Sequence, residues 1–363
     1  MSAHATIRAV ASTPNHRPVV RLLISVGATL VGITVVGGVI LALLEGSEKA
    51  GRRLGEIDVG WLALSLAIWS ASAVLQALRW RALLPVARRP PPGMLTWIVL
   101  GANALTLAVP GPVGEFASAW YLRHRYGVPM VTALAATLLG RALAILCFGI
   151  ATLTLWPLRA AALPPDVVQL VTPIALVTGG ITLPIAWLCF RPGHAVAFVG
   201  GMLNRVLRGE RAVRVRERVA WWTQCFAALG SIGASRWATA VGLCFLNLGV
   251  MSVSTLTSLR AVGIVADPLG TVFMQSITAV ASVAGILVPG GFGAVEVLVV
   301  AIFPTFASGT TADAVFAAVA LRSIHLLTLL LGLPAMLWLI ATLPAEAEAM
   351  EPLMSETMRG ELS

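Results

Sequence analysis

Charge is scarce in this chain, and lysine is almost missing. Of 363 residues, 58% are hydrophobic and only 11% are charged, against about 25% charged in a soluble domain. That deficit excludes an ordinary water-soluble fold. Lys49 is the sole lysine, so the net charge of +9 rests on arginine. A basic surface can serve nucleic acid, but here the arginines flank long apolar runs. This favours membrane orientation and anionic lipid, with no nucleic acid as partner. The four cysteines, Cys147, Cys189, Cys225 and Cys244, are scattered. They form no CxxC or Cys/His pattern, so no metal, cofactor or disulfide framework is expected. No nucleophile–base motif or nucleotide loop occurs either, and no enzymatic activity is expected.

What is present is apolar sequence in long blocks. Segments 22–44, 59–78, 167–190 and 237–259 contain no charge, and each can cross a hydrocarbon core of roughly 30 Å as a helix of about 20 residues. Leu22 to Leu44 is too long for a signal-peptide core and reads as a retained anchor. Unbroken apolar runs predict helices, since barrel strands would alternate. The expected fold is therefore an all-α, polytopic integral membrane bundle. One membrane domain is expected over 21–343, between tails at 1–20 and 344–363.

Arginine placement decides the expected topology. The strongest basic block is 191–236, with eight arginines. If every apolar stretch crossed fully from an internal N-terminus, that block would lie outside, against the positive-inside rule. If 94–123 instead enters from the cytoplasm, turns at Pro110-Gly111-Pro112 and returns, the distribution becomes coherent. Inside are then Arg8, Arg17, Arg21, Arg79, Arg81, Arg88, Arg89, Arg123, Arg125, the eight of 191–236, and Arg359. Outside are only Lys49, Arg52, Arg53, Arg159 and Arg260. A second hairpin follows by symmetry: 270–288 descends, turns at Pro289-Gly290-Gly291 and returns to about Phe306. A last helix over 311–342 is expected to kink near Gly332-Leu333-Pro334. Two re-entrant Pro-Gly hairpins entering from opposite sides make an inverted repeat. Both termini are expected in the cytoplasm of a bacterial-type inner membrane.

The hairpins carry the most informative residues. Glu115 precedes Arg141 by 26 residues, and Glu296 precedes Arg322 by 26. Each glutamate follows a Pro-Gly turn, which includes Pro110, Gly111 and Gly114 in the first copy and Pro289, Gly290, Gly291 and Gly293 in the second. A shift of 181 residues also superposes Ala133 and Ala136 on Ala314 and Ala317. Each charge costs about 2.5–3.5 kcal/mol at the centre of a membrane helix, so the four are expected to pair, within or between repeats. They either pin the hairpins structurally or line a polar cavity where the arginines meet a lipid phosphate. Asn103 and His325 are further candidates, the latter one turn from Arg322 on the same helix face. Gln275 and Ser276 are weaker ones. In block 191–236, Val196, Val199, Met202, Leu203, Val206 and Leu207 at helical spacing, then Trp221-Trp222, predict amphipathic helices on the cytoplasmic leaflet.

The chain resembles the membrane domain of the lysylphosphatidylglycerol synthase and flippase-like family. The resemblance rests on Arg79-Trp80, Asn103 ahead of Pro110-Gly111-Pro112-Val113-Gly114-Glu115, Arg141, Pro289-Gly290-Gly291-Phe292-Gly293 with Glu296, Arg322 and Gly332. It implies a membrane domain associated with moving a modified or glycosylated lipid between leaflets. The two-part synthases of that family also carry a soluble aminoacyl-transferase domain. This chain runs only about 20 residues past its last expected helix, so it is not expected to make lysyl-lipid itself. The resulting expectation is a flippase-like translocator or binder of an anionic or modified lipid. The competing expectation is a non-transporting scaffold for a lipid- or glycan-biosynthetic enzyme. Single-cysteine labelling should place positions 124–126 on the cytoplasmic side; labelling from outside, with 191–236 still internal, would rule out the first hairpin.

Overall fold

A computed structural model describes residues 55–108, 113–161, 163–191, 232–284 and 294–341, with a few positions between 194 and 202. The expected anchor at 22–44, both tails, the two turn tips and most of block 191–236 lie outside the described residues. The helices are α1 Val59–Leu83, α2 Pro92–Ala108, α3 Val113–Tyr126, α4 Met130–Ala160, α5 Pro165–Phe190, α6 Ala234–Ala261, α7 Pro268–Ala284, α8 Ala294–Ile302 and α9 Thr311–Ala341. Short 3-10 turns follow α1 at Val86–Arg88 and α8 at Phe303–Thr305. Among the described residues no element is a strand; one isolated bridge joins Ala266 to Ala307.

Five of these helices, α1, α4, α5, α6 and α9, are long and apolar enough to cross a membrane. Their outer faces are apolar too. On α5, Leu170, Leu176, Val177 and Leu183 are more than half exposed. A helix apolar both inside and out suits lipid, not water, on its far side. The described parts of α2 and α7 cover 17 residues each, about 25 Å of helix.

Helix boundaries follow local chemistry. Asp58 caps α1 by accepting from Gly60 N at 2.8 Å and Trp61 N at 3.1 Å. Thr310 and Asp313 exchange bonds in a capping box at the start of α9. α2, α5 and α7 each begin at a proline, which suits the first turn because its missing N–H would have no partner there. α6 ends at Gly263, with φ 75°; Gly263 N donates to Arg260 O, and Ile264 N to Leu259 O, in a Schellman closure.

Element order recurs along the chain. A helix that begins at a proline, α2 or α7, is followed by one with a glutamate in its first turn, α3 or α8. Packing recurs as well: α2 lies on α9, and α7 lies on α4. α1 and α6 form the central pair and run antiparallel. At one end Asp58 N donates to Ala261 O at 2.9 Å, and Arg260 stacks over Trp61. At the other, Arg236 Nε donates to Ala82 O at 2.8 Å. Between them, Ser65 Oγ donates to Ser254 O at 2.7 Å and meets Ser258 Oγ at 2.6 Å. Small hydroxyl residues let two helices approach and hydrogen-bond where water is absent.

The two short pairs attach at opposite ends of the bundle. The α2–α3 pair starts and finishes beside the loop after α1, where Arg88 donates to Gly127 O. The α7–α8 pair starts and finishes at the far end, where Asp267 N donates to Phe306 O at 2.7 Å. There Arg159, from the end of α4, bonds Asp267 Oδ2 at 2.6 Å and Thr305 O at 2.5 Å. Gly101 and Gly332 let α2 meet α9 backbone to backbone: a Cβ on Gly101 would stand 2.7 Å from Ala335 O, and one on Gly332 2.8 Å from Leu100 O.

One boundary differs from expectation. Arg79, assigned from sequence to the first loop, lies within α1 and is buried, because α1 runs to Leu83. Its charge marked the end of an apolar run but not the end of the helix. Asp267→Ala should remove both the Arg159 pair and the bond to Gly270 N, lowering stability by about 1–2 kcal/mol. Thermal unfolding in detergent would register this as a drop in the melting midpoint.

Candidate functional site

Each half of the bundle brings its glutamate and its arginine together. Glu115 is the third residue of α3 and Glu296 the third of α8, both in a first helical turn. The exposed N–H groups there favour a carboxylate. Arg141 and Arg322 are each the twelfth residue of their 31-residue helices. α3 packs on α4 and α8 on α9, so the pairs close within each half. Arg141 Nη1 stands 2.7 Å from Glu115 Oε1. Arg322 Nε donates to Glu296 Oε1. Pairing between halves, open from sequence, is not what these contacts form.

The two pairs bury opposite partners. In the first, the Glu115 side chain is 5% exposed and Arg141 39%. In the second, Arg322 is 4% exposed and Glu296 26%. The first half therefore leaves a cation open and the second leaves a carboxylate partly open. Glu115 Oε2 is buried with no hydrogen-bond partner. Arg141 engages Glu115 through one nitrogen, and a guanidinium carries five N–H donors in a planar fork. Its remaining N–H groups can donate to a phosphate oxygen without releasing Glu115.

Gly114 fits α3 against α2: a Cβ there would lie 2.5 Å from Thr106 Oγ1 and collide with the Ala102 carbonyl. Pro110, Gly111, Pro289, Gly290, Gly291 and Gly293 lie outside the described residues. Asn103 faces α1, not the ion pairs. Its Nδ2 donates to Gln76 Oε1 at 3.1 Å, and Gln76 Nε2 returns a bond at 3.4 Å. In the second half, Thr255 Oγ1 donates to Gln275 Oε1 at 3.0 Å. Ser276 meets Thr152 at 2.9 Å, tying α7 to α4. These polar residues fasten the short helices to the long ones. His325 Nδ1 lies 2.9 Å from Leu321 O, and its ring meets Trp69 edge-on with centroids 4.5 Å apart. It thus links α9 to α1.

One buried charge escaped sequence reasoning. Arg79 is 4% exposed, reaches Cys244 Sγ at 3.4 Å through Nη1, and has a buried Nε without a partner. Trp80 Nε1 is likewise buried without a partner. The signal was present only as the Arg79-Trp80 pair in the resemblance, since spacing gave it no carboxylate. For the open pair the mutational outcome is asymmetric. Arg141→Ala strands a buried carboxylate and should cost about 3–5 kcal/mol. Glu115→Ala leaves a partly exposed arginine without its carboxylate and should cost less, about 2.5 kcal/mol. Chemical denaturation of the two variants, and of the double variant that should recover most of the loss, checks this order.

Comparison with known proteins agrees with the resemblance. No curated protein matches the chain, and no solved structure does. The family described as lysylphosphatidylglycerol synthase TM region matches residues 21–332. That span includes both Glu–Arg pairs, both short-helix pairs and all five long apolar helices except the end of α9. The chain is an integral membrane protein, and it belongs to the lysylphosphatidylglycerol synthase transmembrane-region family.

Proposed function

We propose that this protein binds an anionic or modified lipid headgroup at the Glu–Arg pairs and carries it between leaflets, without acting as an enzyme. The observation that carries the reading is Arg141: a guanidinium inside an apolar bundle, held by one nitrogen to Glu115 and 39% exposed. A purely structural pair would satisfy both oxygens of its buried carboxylate, whereas Glu115 Oε2 is buried with no hydrogen-bond partner. An accessible cation near the N-terminus of α3 suits a phosphate oxyanion, whose acyl chains stay in lipid.

The recurrent element order, the antiparallel α1–α6 pair and the attachment of the short pairs at opposite ends support an inverted repeat with two re-entrant hairpins. Rocking of one half against the other would then expose the site to each leaflet in turn. The basic end, with Arg81, Arg88, Arg89 and Arg236, faces the cytoplasm of an inner membrane in this reading, and both termini lie there. The Glu296–Arg322 pair, with its arginine 4% exposed, favours a second reading, in which the pairs brace a scaffold for a lipid- or glycan-modifying enzyme.

Reconstitution in liposomes with headgroup-labelled lipid separates the two. Translocation predicts faster loss of label protection for anionic lipid than for zwitterionic lipid, and about tenfold or more slowing in Arg141→Gln. Rates equal to empty liposomes for every lipid, from protein that is folded, would leave the scaffold reading standing.

A further inference from the structure

Three arginines at the basic end serve neither Glu–Arg pair. Arg81 belongs to the last turn of α1, Arg89 to the loop after it, and Arg236 to the first turn of α6. They converge on the backbone of residues 82–90. Arg236 donates to Ala82 O at 2.8 Å and to Leu84 O at 2.5 Å. Arg89 Nε donates to the same Leu84 carbonyl at 3.2 Å. Arg81 Nε donates to Pro90 O at 3.4 Å. Each guanidinium is half-buried, and each has N–H donors left over from these bonds.

Among the described residues no carboxylate pairs with their positive charge: the carboxylate pairs are Glu115–Arg141, Asp267–Arg159 and Glu296–Arg322, none of which involves these three. The end of α1 offers roughly half a negative charge, well short of three positive ones. The crowding has a direct consequence: burial, then Arg236, then Arg81 hold the Arg89 guanidinium below its ordinary pKa. An anion would offset the repulsion from Arg236 and Arg81.

The surroundings select the kind of anion. α2 begins at Pro92, directly after this strip, and carries Trp97 exposed in its second turn. Trp237 follows Arg236 at the start of α6. Indole rings favour headgroup depth in a bilayer. The cluster thus stands at the end of an apolar bundle, where a phosphate meets the arginines while its acyl chains run along exposed apolar helix.

We propose that Arg81, Arg89 and Arg236 form a binding site for the phosphate of one resident anionic phospholipid, seated where α1 ends and α6 begins. The site is separate from the Glu–Arg pairs and does not depend on translocation. A lipid phosphate here would join the two halves at the central helix pair, whose other end is closed by the Asp58–Ala261 bond. A zwitterionic lipid fits poorly, because its quaternary ammonium would meet three cations.

Full-length protein in neutral detergent provides the test, by native mass spectrometry and thermal unfolding with phosphatidylglycerol, phosphatidylcholine or inorganic phosphate. The expected result is one retained phosphatidylglycerol per chain, a raised melting midpoint, and at least about tenfold weaker retention of phosphatidylcholine. Retention should fall as salt rises, since the site is partly exposed. Arg89→Gln should weaken retention about tenfold, and the same loss should appear in an Arg141→Gln background, where the central site is disabled. Equal retention of both lipids, or unchanged retention in Arg89→Gln, would overturn the proposal. So would displacement of the lipid by millimolar inorganic phosphate, which would reassign the cluster to a soluble anion. If Arg89→Gln does not fold, the comparison of the three ligands on the wild-type protein decides alone.

Discussion

A charge or a bare backbone group inside hydrocarbon must find its partner within the protein, and this constraint shapes most of the bundle. Isolated charges there cost several kcal/mol each. The two glutamates accordingly sit at helix starts, where N–H groups favour them, and each faces an arginine on the helix packed beside it. Hydroxyl groups obey the same demand at lower cost. Ser70, Thr106, Ser118, Thr152, Thr178 and Thr182 each donate to the carbonyl four residues earlier, which satisfies the hydroxyl without leaving the helix.

Close helix approach is the second consequence. With lipid as solvent, helices gain little from burying apolar surface and depend on packing and interhelical bonds. Glycine supplies the contact between α2 and α9, at Gly101 and Gly332, and between α3 and α2, at Gly114. Serine supplies it between α1 and α6. The first helix of each short pair therefore lies on the long helix of the other half, α2 on α9 and α7 on α4. The halves are interlocked, so a change at one ion pair has a direct mechanical route to the other half.

The halves share their layout but not their chemistry. Both place a glutamate at the third position of a short helix and an arginine at the twelfth of a long one. Yet one leaves its arginine accessible and the other its glutamate. Two similar frames thus present opposite charges, which a symmetric brace would not require. The basic end adds a third kind of arginine, bound to carbonyls and lacking a carboxylate among the described residues.

Much of the architecture was legible in the chain. Long apolar runs identify membrane helices because only a helix satisfies its own backbone in lipid, and the family match over 21–332 agrees. The equal 26-residue spacings announced that Glu115 and Arg141, and Glu296 and Arg322, would matter together. Spacing alone left the partners undecided, because a distance along the chain does not say which helices pack side by side. Asn103 and His325, candidates by their polarity, bond Gln76 and Leu321. Arg79 looked like a loop residue because charge usually ends a membrane run, yet α1 carries it inside. The sequence by itself determined that this is a helical membrane protein in which a Glu–Arg spacing of 26 residues occurs twice, since composition and spacing depend only on local chain chemistry. Only the tertiary structure decided which charges pair, which side of each pair stays open and where three arginines converge, because burial and contact arise from helices that are distant in sequence.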